Sequence, residues 1–247
     1  MGSLIHSFNA SFSSDSYCII LYADDIVVIE RVLNYEDHVS STKFICKWIS
    51  EKGLLCNNSK STQTFYAKDK SFKFLHPFVN NYDDINYVNN FKYLGVDFSC
   101  DLSFSLYVDN LICKASKRIF ILRALKCINA PKINLFTVYD SLILNLLLYA
   151  FPLFFSFSKS DFLKIEKIHR RCHNIICGKN HCNCKSVKDI FLQRSKKFFY
   201  KCFEPHNILN SCTPEILPSG RLKQPFCKTK RRFNCFFSAM TYAINNS

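Results

Sequence analysis

Between Cys18 and Ile29 the chain reads Cys-Ile-Ile-Leu-Tyr-Ala-Asp-Asp-Ile-Val-Val-Ile. Two runs rich in Ile and Val flank a pair of adjacent carboxylates, Asp24 and Asp25. Runs of this kind favour strands, so the stretch predicts a β-hairpin whose turn presents Asp. Adjacent aspartates suit turns because their side chains bond nearby backbone and accept unusual φ values. No glycine stands beside them, however, and two negative charges at the rim of an apolar sheet are costly unless a cation neutralises them. Hard oxygen donors of this type suit Mg²⁺. On the residues alone, a plain Asp-Asp turn and a metal site stand on equal footing.

Tyr22-Ala23-Asp24-Asp25 resembles the YxDD box of reverse transcriptases, and two later segments match in the same order. Gly53-Leu54-Leu55-Cys56-Asn57-Asn58-Ser59-Lys60-Ser61 resembles the G-L-x-x-N-x-x-K-[ST] segment of non-LTR (LINE-type) retrotransposon polymerases. Phe91-Lys92-Tyr93-Leu94-Gly95-Val96 resembles their F-K-Y-L-G primer-grip strand. The similarity continues through Leu102-Ser103-Phe104 to about Gly178.

The resemblance implies RNA-directed DNA synthesis by two-metal nucleotidyl transfer with Mg²⁺. Asp24 would be the essential metal ligand of the turn and Asp25 a supporting one. Lys60 would meet the phosphates of the incoming dNTP; its alternative is a solvated lysine at a strand edge. Tyr93, Leu94 and Gly95 would approach the primer backbone, where a glycine permits close contact; for Tyr93 a buried strand ending is an equal alternative. The basic helix over 104–126, with Lys114, Lys117 and Arg118, would be the thumb that grips the RNA template and DNA primer duplex through its phosphates.

The family's first catalytic strand and its template-contacting segment lie well upstream of YxDD, whereas 21 residues precede Tyr22 here. Asp15 sits in Ser-Ser-Asp-Ser with no apolar strand around it and is not promoted to the missing ligand. The expectation is a C-terminal fragment, palm end and thumb, inactive by itself. Its rivals are a non-catalytic basic nucleic-acid-binding protein and a non-functional relic of an element.

Charge supports a polyanionic partner. Residues 1–100 hold nine Lys/Arg and eleven Asp/Glu, whereas residues 101–247 hold twenty-four and eight, a balance of −2 against +16. The whole basic excess therefore lies downstream of the carboxylate pair, and nucleic acid is its simplest partner, with a solvated Lys-rich surface as the bland alternative. With 48% hydrophobic residues the chain can bury a core. The fourteen cysteines show no disulfide framework spacing and no secretory leader precedes them. An intracellular protein with free thiols, nuclear or cytoplasmic and not secreted, is expected. Leu142 to Phe157 is nearly all apolar but shorter than the roughly 20 residues a membrane span needs, so it predicts a buried core helix.

The fold class expected is α+β: a truncated palm, made of an antiparallel β-hairpin and strands with one helix, followed by an all-α thumb-like region. Residues 1–16 form a polar leader, 17–100 the partial palm, 101–178 the helical region and 179–247 a basic, Cys-rich C-terminal region of irregular structure. Helices are predicted over 35–52, stopped by Gly53, over 104–126, over 132–150 and over 160–177 with Ser160 as N-cap; strands are predicted over 60–67 and 91–98. Val108, Leu111, Ile112, Ala115, Ile119, Leu122 and Leu125 make the buried stripe of the basic helix. His169, Cys172, His173, Cys177, His181, Cys182 and Cys184 cluster in sequence but match no zinc-finger spacing, so zinc is disfavoured and Cys172 and Cys177 read as small apolar residues in a helix.

Overall fold

The structure, a computed structural model, describes residues 17–23, 25–31, 35–55, 57, 59–66, 86–178 and 185–246. The expected leader at 1–16 and Asp24 lie outside the described residues. The architecture is α+β, with eight α-helices and three two-stranded sheets among the described residues. The chain divides into two compact units, Met1–Phe91 and Lys92–Ser247.

In the first unit β1 (Tyr17–Tyr22) pairs antiparallel with β2 (Asp25–Glu30), Tyr22 facing Asp25 and Tyr17 facing Glu30. This register leaves a two-residue link in which Ala23 takes a left-handed φ of 51°. Alternation puts Ile20, Tyr22, Asp25, Val27 and Ile29 on one face and Ile19, Ile26 and Val28 on the other. Helix α1 (Tyr35–Glu51) ends where the sequence predicts. Gly53 adopts φ 67°, its N–H bonds the Ser50 carbonyl and the Leu54 N–H bonds Ile49, the two hydrogen bonds of a Schellman stop. Among the described residues of the strand expected over 60–67, only β3 (Thr62–Gln63) forms, paired parallel to β4 (Asn86–Tyr87). It is shortened because the chain before it is bound into a turn. Asn57 accepts from the Ser59 hydroxyl through its side chain and from the Lys60 and Ser61 N–H groups through its carbonyl.

The second unit opens on a hairpin, β5 (Asn90–Tyr93) with β6 (Val96–Ser99), the division between units falling inside β5. Helix α2 (Ser105–Cys127) then carries the predicted stripe, with Val108, Leu111, Ala115, Ile119 and Leu122 buried. Helix α3 (Lys132–Val138) runs into a π-helical stretch, Tyr139–Leu144, and a final turn α4 (Asn145–Leu147). The single helix expected to Ala150 thus widens into a looser π turn midway and stops early. Ala150 itself, at φ 54°, reverses the chain into a 3₁₀ turn, Phe151–Ser156, with Pro152 in its first turn.

Helix α5 (Lys159–Cys177) is capped by Ser158, not Ser160. The backbone of Ser158 is extended and its hydroxyl accepts from the Asp161 N–H at 3.1 Å; Ser160 already lies inside the first turn. The C-terminal region, expected to be irregular, contains α6 (Val187–Cys202), the short α7 (Lys230–Phe233) and α8 (Phe236–Asn245). Val187, Phe191, Ser195, Phe199 and Cys202 recur at helical spacing and are buried, a signal masked in sequence by Lys196-Lys197 within the same helix. One core joins the helices from α2 to α6: Leu111 and Leu122 of α2, Leu135 of α3, Ile143 of the π stretch, Ile165 and Ile176 of α5 and Phe191 of α6.

Candidate nucleic-acid interface

The segment predicted as a single primer-grip strand is folded back on itself. Leu94 and Gly95 are the two central residues of the β5–β6 turn, with φ values of 46° and 82°. Positive φ at both positions is the backbone of a type I′ hairpin turn, which matches the twist of the strands it joins. Gly95 accepts this conformation readily; Leu94 holds it against steric preference. Tyr149, just beyond α4, holds the turn from outside. Its phenol donates to the Leu94 carbonyl at 2.5 Å, and a Cβ on Gly95 would lie 3.4 Å from its ring. The buried Tyr107 of α2 donates in turn to the Tyr149 carbonyl at 3.1 Å. Burial, reinforced by Tyr149 and Asp97, pushes the Tyr107 phenol above its ordinary value, so it remains a proton donor across the physiological range.

Between this hairpin, α2 and α4 lies a cleft of about 190 Å³. Leu111 and Leu146 give it an apolar floor, and Tyr107 and Tyr149 an aromatic wall. Gly95, Asp97, Asn110 and Lys114 complete the lining. Asn110 donates its amide to Asp97 Oδ2 at 3.0 Å. The other Asp97 oxygen and the Lys114 ammonium have no hydrogen-bond or ion-pair partner among the described residues. Gly95 and Lys114, expected from sequence to bind nucleic acid, are therefore brought to one site. Lys117 lies one helical turn further along α2 and is exposed.

Arg118 is placed differently, half-buried and donating to the Leu142 carbonyl of the π stretch at 2.5 Å. Tyr93 is half-buried at the end of β5 and Leu94 is exposed. Asp97, Asn110, Tyr107 and Tyr149 went unnoticed in the sequence. No motif carries them, and Tyr149 meets Leu94 across 55 positions of chain.

In the first unit Asp25 is the first residue of β2, exposed and directly opposite Tyr22. Its carboxylate makes no ion pair among the described residues, which suits a hard-cation ligand. Asp24, the other half of the pair, lies outside the described residues. Lys60 projects exposed from the turn that Asn57 organises. Asn57 and Ser61 of the Asn-to-Ser motif thus have a local role, building that turn, independent of any substrate.

The Cys/His cluster is occupied by packing where it is described. The His169 Nε2 donates to the Lys185 carbonyl at 3.0 Å, and its Nδ1 accepts from the Tyr139 phenol at 2.5 Å. A carbonyl can only accept, and this fixes the tautomer. Burial holds His169 below its ordinary value, despite the Lys185 carbonyl and Glu166 pulling the other way. His173 packs edge-on against Tyr139 and is driven down to about 4 by burial and by His169. Cys172 is fully buried, its thiol pushed up to about 12 by burial. Glu166 accepts from the Val187 N–H at 3.0 Å and from Arg170 at 3.1 Å, fastening the start of α6 to α5. His181, Cys182 and Cys184 lie outside the described residues, and no group of three metal-ligating side chains occurs among those described.

No protein-family model, curated protein or solved structure matches the chain. Among the described residues no helix is long and apolar enough to cross a membrane. The stretch from Leu142 to Phe157 is divided between π, α and 3₁₀ turns, and Ile143, Leu147 and Phe154 within it are buried in the core.

Proposed function

We propose that the chain is a nucleic-acid-gripping portion of a polymerase like the non-LTR reverse transcriptases, its second unit serving as thumb and primer grip and its first as the palm end. The observation that carries the reading is the convergence of Gly95 and Lys114, two positions named by sequence resemblance, on one cleft beside a cationic helix. Along α2 the exposed Lys114, Lys117 and Arg123 face solvent without acidic partners among the described residues. The one acid of that helix to form an ion pair among the described residues, Asp109, is held by Lys164 at 2.6 Å. Cations at this spacing contact successive phosphates and position a strand without reading its sequence.

Asp24 and Asp25 would hold Mg²⁺ in the first unit, and an exposed, unpaired carboxylate at Asp25 fits that group. Bound there, the metal would stabilise charge on the reacting phosphoryl oxygens. Lys60, exposed on its Asn57-built turn, would meet nucleotide phosphate. Two metals require more carboxylates than this turn supplies, so the activity these residues support by themselves is binding of nucleic acid.

Fluorescence anisotropy with a primed RNA template tests the reading. Salt-sensitive binding is expected, weakened when Lys114 and Lys117 are both replaced by Ala, with the logarithmic salt slope falling by about 2. Binding without that salt dependence would overturn it. Primer extension lost in Asp25→Asn would instead show a complete polymerase site, whereas binding with no extension by either form leaves the grip as the activity of this chain.

A further inference from the structure

A carboxylate inside a phosphate-binding face repels the ligand unless it meets a hydrogen-bond donor that the ligand brings. Asp97 is such a carboxylate. Asn110 takes one of its oxygens at 3.0 Å, and the second oxygen of this cleft-lining residue has no hydrogen-bond or ion-pair partner among the described residues. Lys114 lines the same cleft, with its ammonium unpaired among the described residues, and Tyr149 offers a half-exposed ring. The cleft, at about 190 Å³, is smaller than the roughly 300–1,000 Å³ sites that enclose a whole drug-sized ligand. It suits one sugar with the edge of its base.

We infer that this cleft receives a single ribonucleotide unit of a bound strand, with Lys114 on the phosphate, Tyr149 against the base and the free oxygen of Asp97 accepting from the ribose 2′-hydroxyl. The 2′-hydroxyl is the donor that RNA has and DNA lacks, and an acidic side chain is a common partner for it. Aromatic rings take bases of any sequence. The site therefore sorts strands by sugar rather than by sequence. This rests on the nucleic-acid reading above and revises one part of it: the strand beside Gly95 and over α2 is the RNA, not the DNA primer. Asn110 is a positioning residue, acting through Asp97.

The experiment uses the full chain and two labelled single strands of one sequence, RNA and DNA, by fluorescence anisotropy at fixed salt. RNA is expected to bind about five- to tenfold tighter, as one charge-assisted hydrogen bond would give. Asp97→Asn should abolish the RNA preference, weakening RNA through the lost charge-assisted hydrogen bond and leaving DNA as tight or slightly tighter, because the carboxylate no longer repels its phosphates. Lys114→Ala should weaken both strands alike. Asn110→Ala, which keeps the carboxylate but frees it, should lose part of the RNA preference. Circular dichroism melts confirm that each variant is folded. Equal binding of RNA and DNA would overturn the inference while leaving the nucleic-acid reading standing. So would an Asp97→Asn effect that follows cytosine content in both strands, since that would place a base amino group at Asp97. Binding of neither strand would overturn both.

Discussion

β1–β2 and β5–β6 each turn over two residues, and each places a residue with a Cβ in left-handed backbone, Ala23 at φ 51° and Leu94 at 46°. Beyond the turns they diverge. Val96 of the second hairpin is 6% exposed and joins the core beside Phe104 and Tyr107, and Tyr149 holds its turn. On the first hairpin Ile20, Tyr22 and Ile29 are 41%, 59% and 52% exposed. The hairpin with the chemically distinctive sequence is thus the one with less packing among the described residues. The anchored hairpin carries no charge at its turn, and its Gly95 and Asp97 become part of a site only where α2 and α4 meet them. Distinctive residues and a well-supported scaffold are separate properties, and this chain shows each without the other.

The largest test of that contrast is core truncation. Ile143→Ala, at a fully buried position, should lower the urea-unfolding stability of the second unit by about 2–5 kcal/mol. Ile20→Ala on the open face of the first hairpin should change it by no more than about 0.5 kcal/mol. Equal effects would show that Ile20 packs as deeply as Ile143 and would break the comparison.

Acid should act through the second unit. His169 and His173 are both held below their ordinary value by burial, so the unfolded chain binds protons more readily than the folded one. Stability should be full above pH 6.5 and fall as pH drops towards 4, by roughly 1–3 kcal/mol over that window. Thermal melts of His173→Leu should show a flatter profile between those limits. A profile as steep as that of the unaltered chain would remove His173 as the cause.

The turns give the smallest and sharpest comparison. Gly95→Ala, at φ 82° and with the Tyr149 ring 3.4 Å from the new Cβ, should cost about 1 kcal/mol or somewhat more. Ala23→Gly should work in the opposite direction, relieving left-handed strain by up to about 1 kcal/mol. Hydrogen exchange of the β1–β2 and β5–β6 amides reads both. Slower exchange in β1–β2 for Ala23→Gly and faster exchange in β5–β6 for Gly95→Ala are expected.

Much of the local structure was legible because it depends on neighbours in sequence. The β1–β2 hairpin, the Gly53 stop and the buried stripe of α2 follow from period, turn chemistry and φ preference over a few residues. The misreadings share one cause. Ser158 and Ser160 both qualify as N-caps, and only the path of the preceding 3₁₀ turn selects Ser158. The F-K-Y-L-G segment has strand composition throughout, and a tyrosine 55 positions away braces the turn within it. Helix α6 has the right period, but its lysine pair placed it in a basic region expected to be irregular; the aromatic residues of the 3₁₀ turn and α8 give it a surface to cover, as in the Phe151, Phe198 and Phe236 contacts.

The candidate site divides in the same way. Sequence by itself determined that a β-hairpin forms over this stretch with Asp25 at the head of its second strand, that the cations lie downstream of it, and that α2 has one buried face and one cationic face. These follow from residue chemistry and from the 2.0 and 3.6 periods of strand and helix. Tertiary structure decided which cations remain available. It committed Arg118 to the Leu142 carbonyl and left Lys114 open in a cleft. It also placed Asp97, Asn110 and Tyr149 around that cleft. Only packing brings together side chains from a hairpin and two helices, because a contact between distant residues is fixed by the shape of the whole core and not by either residue alone.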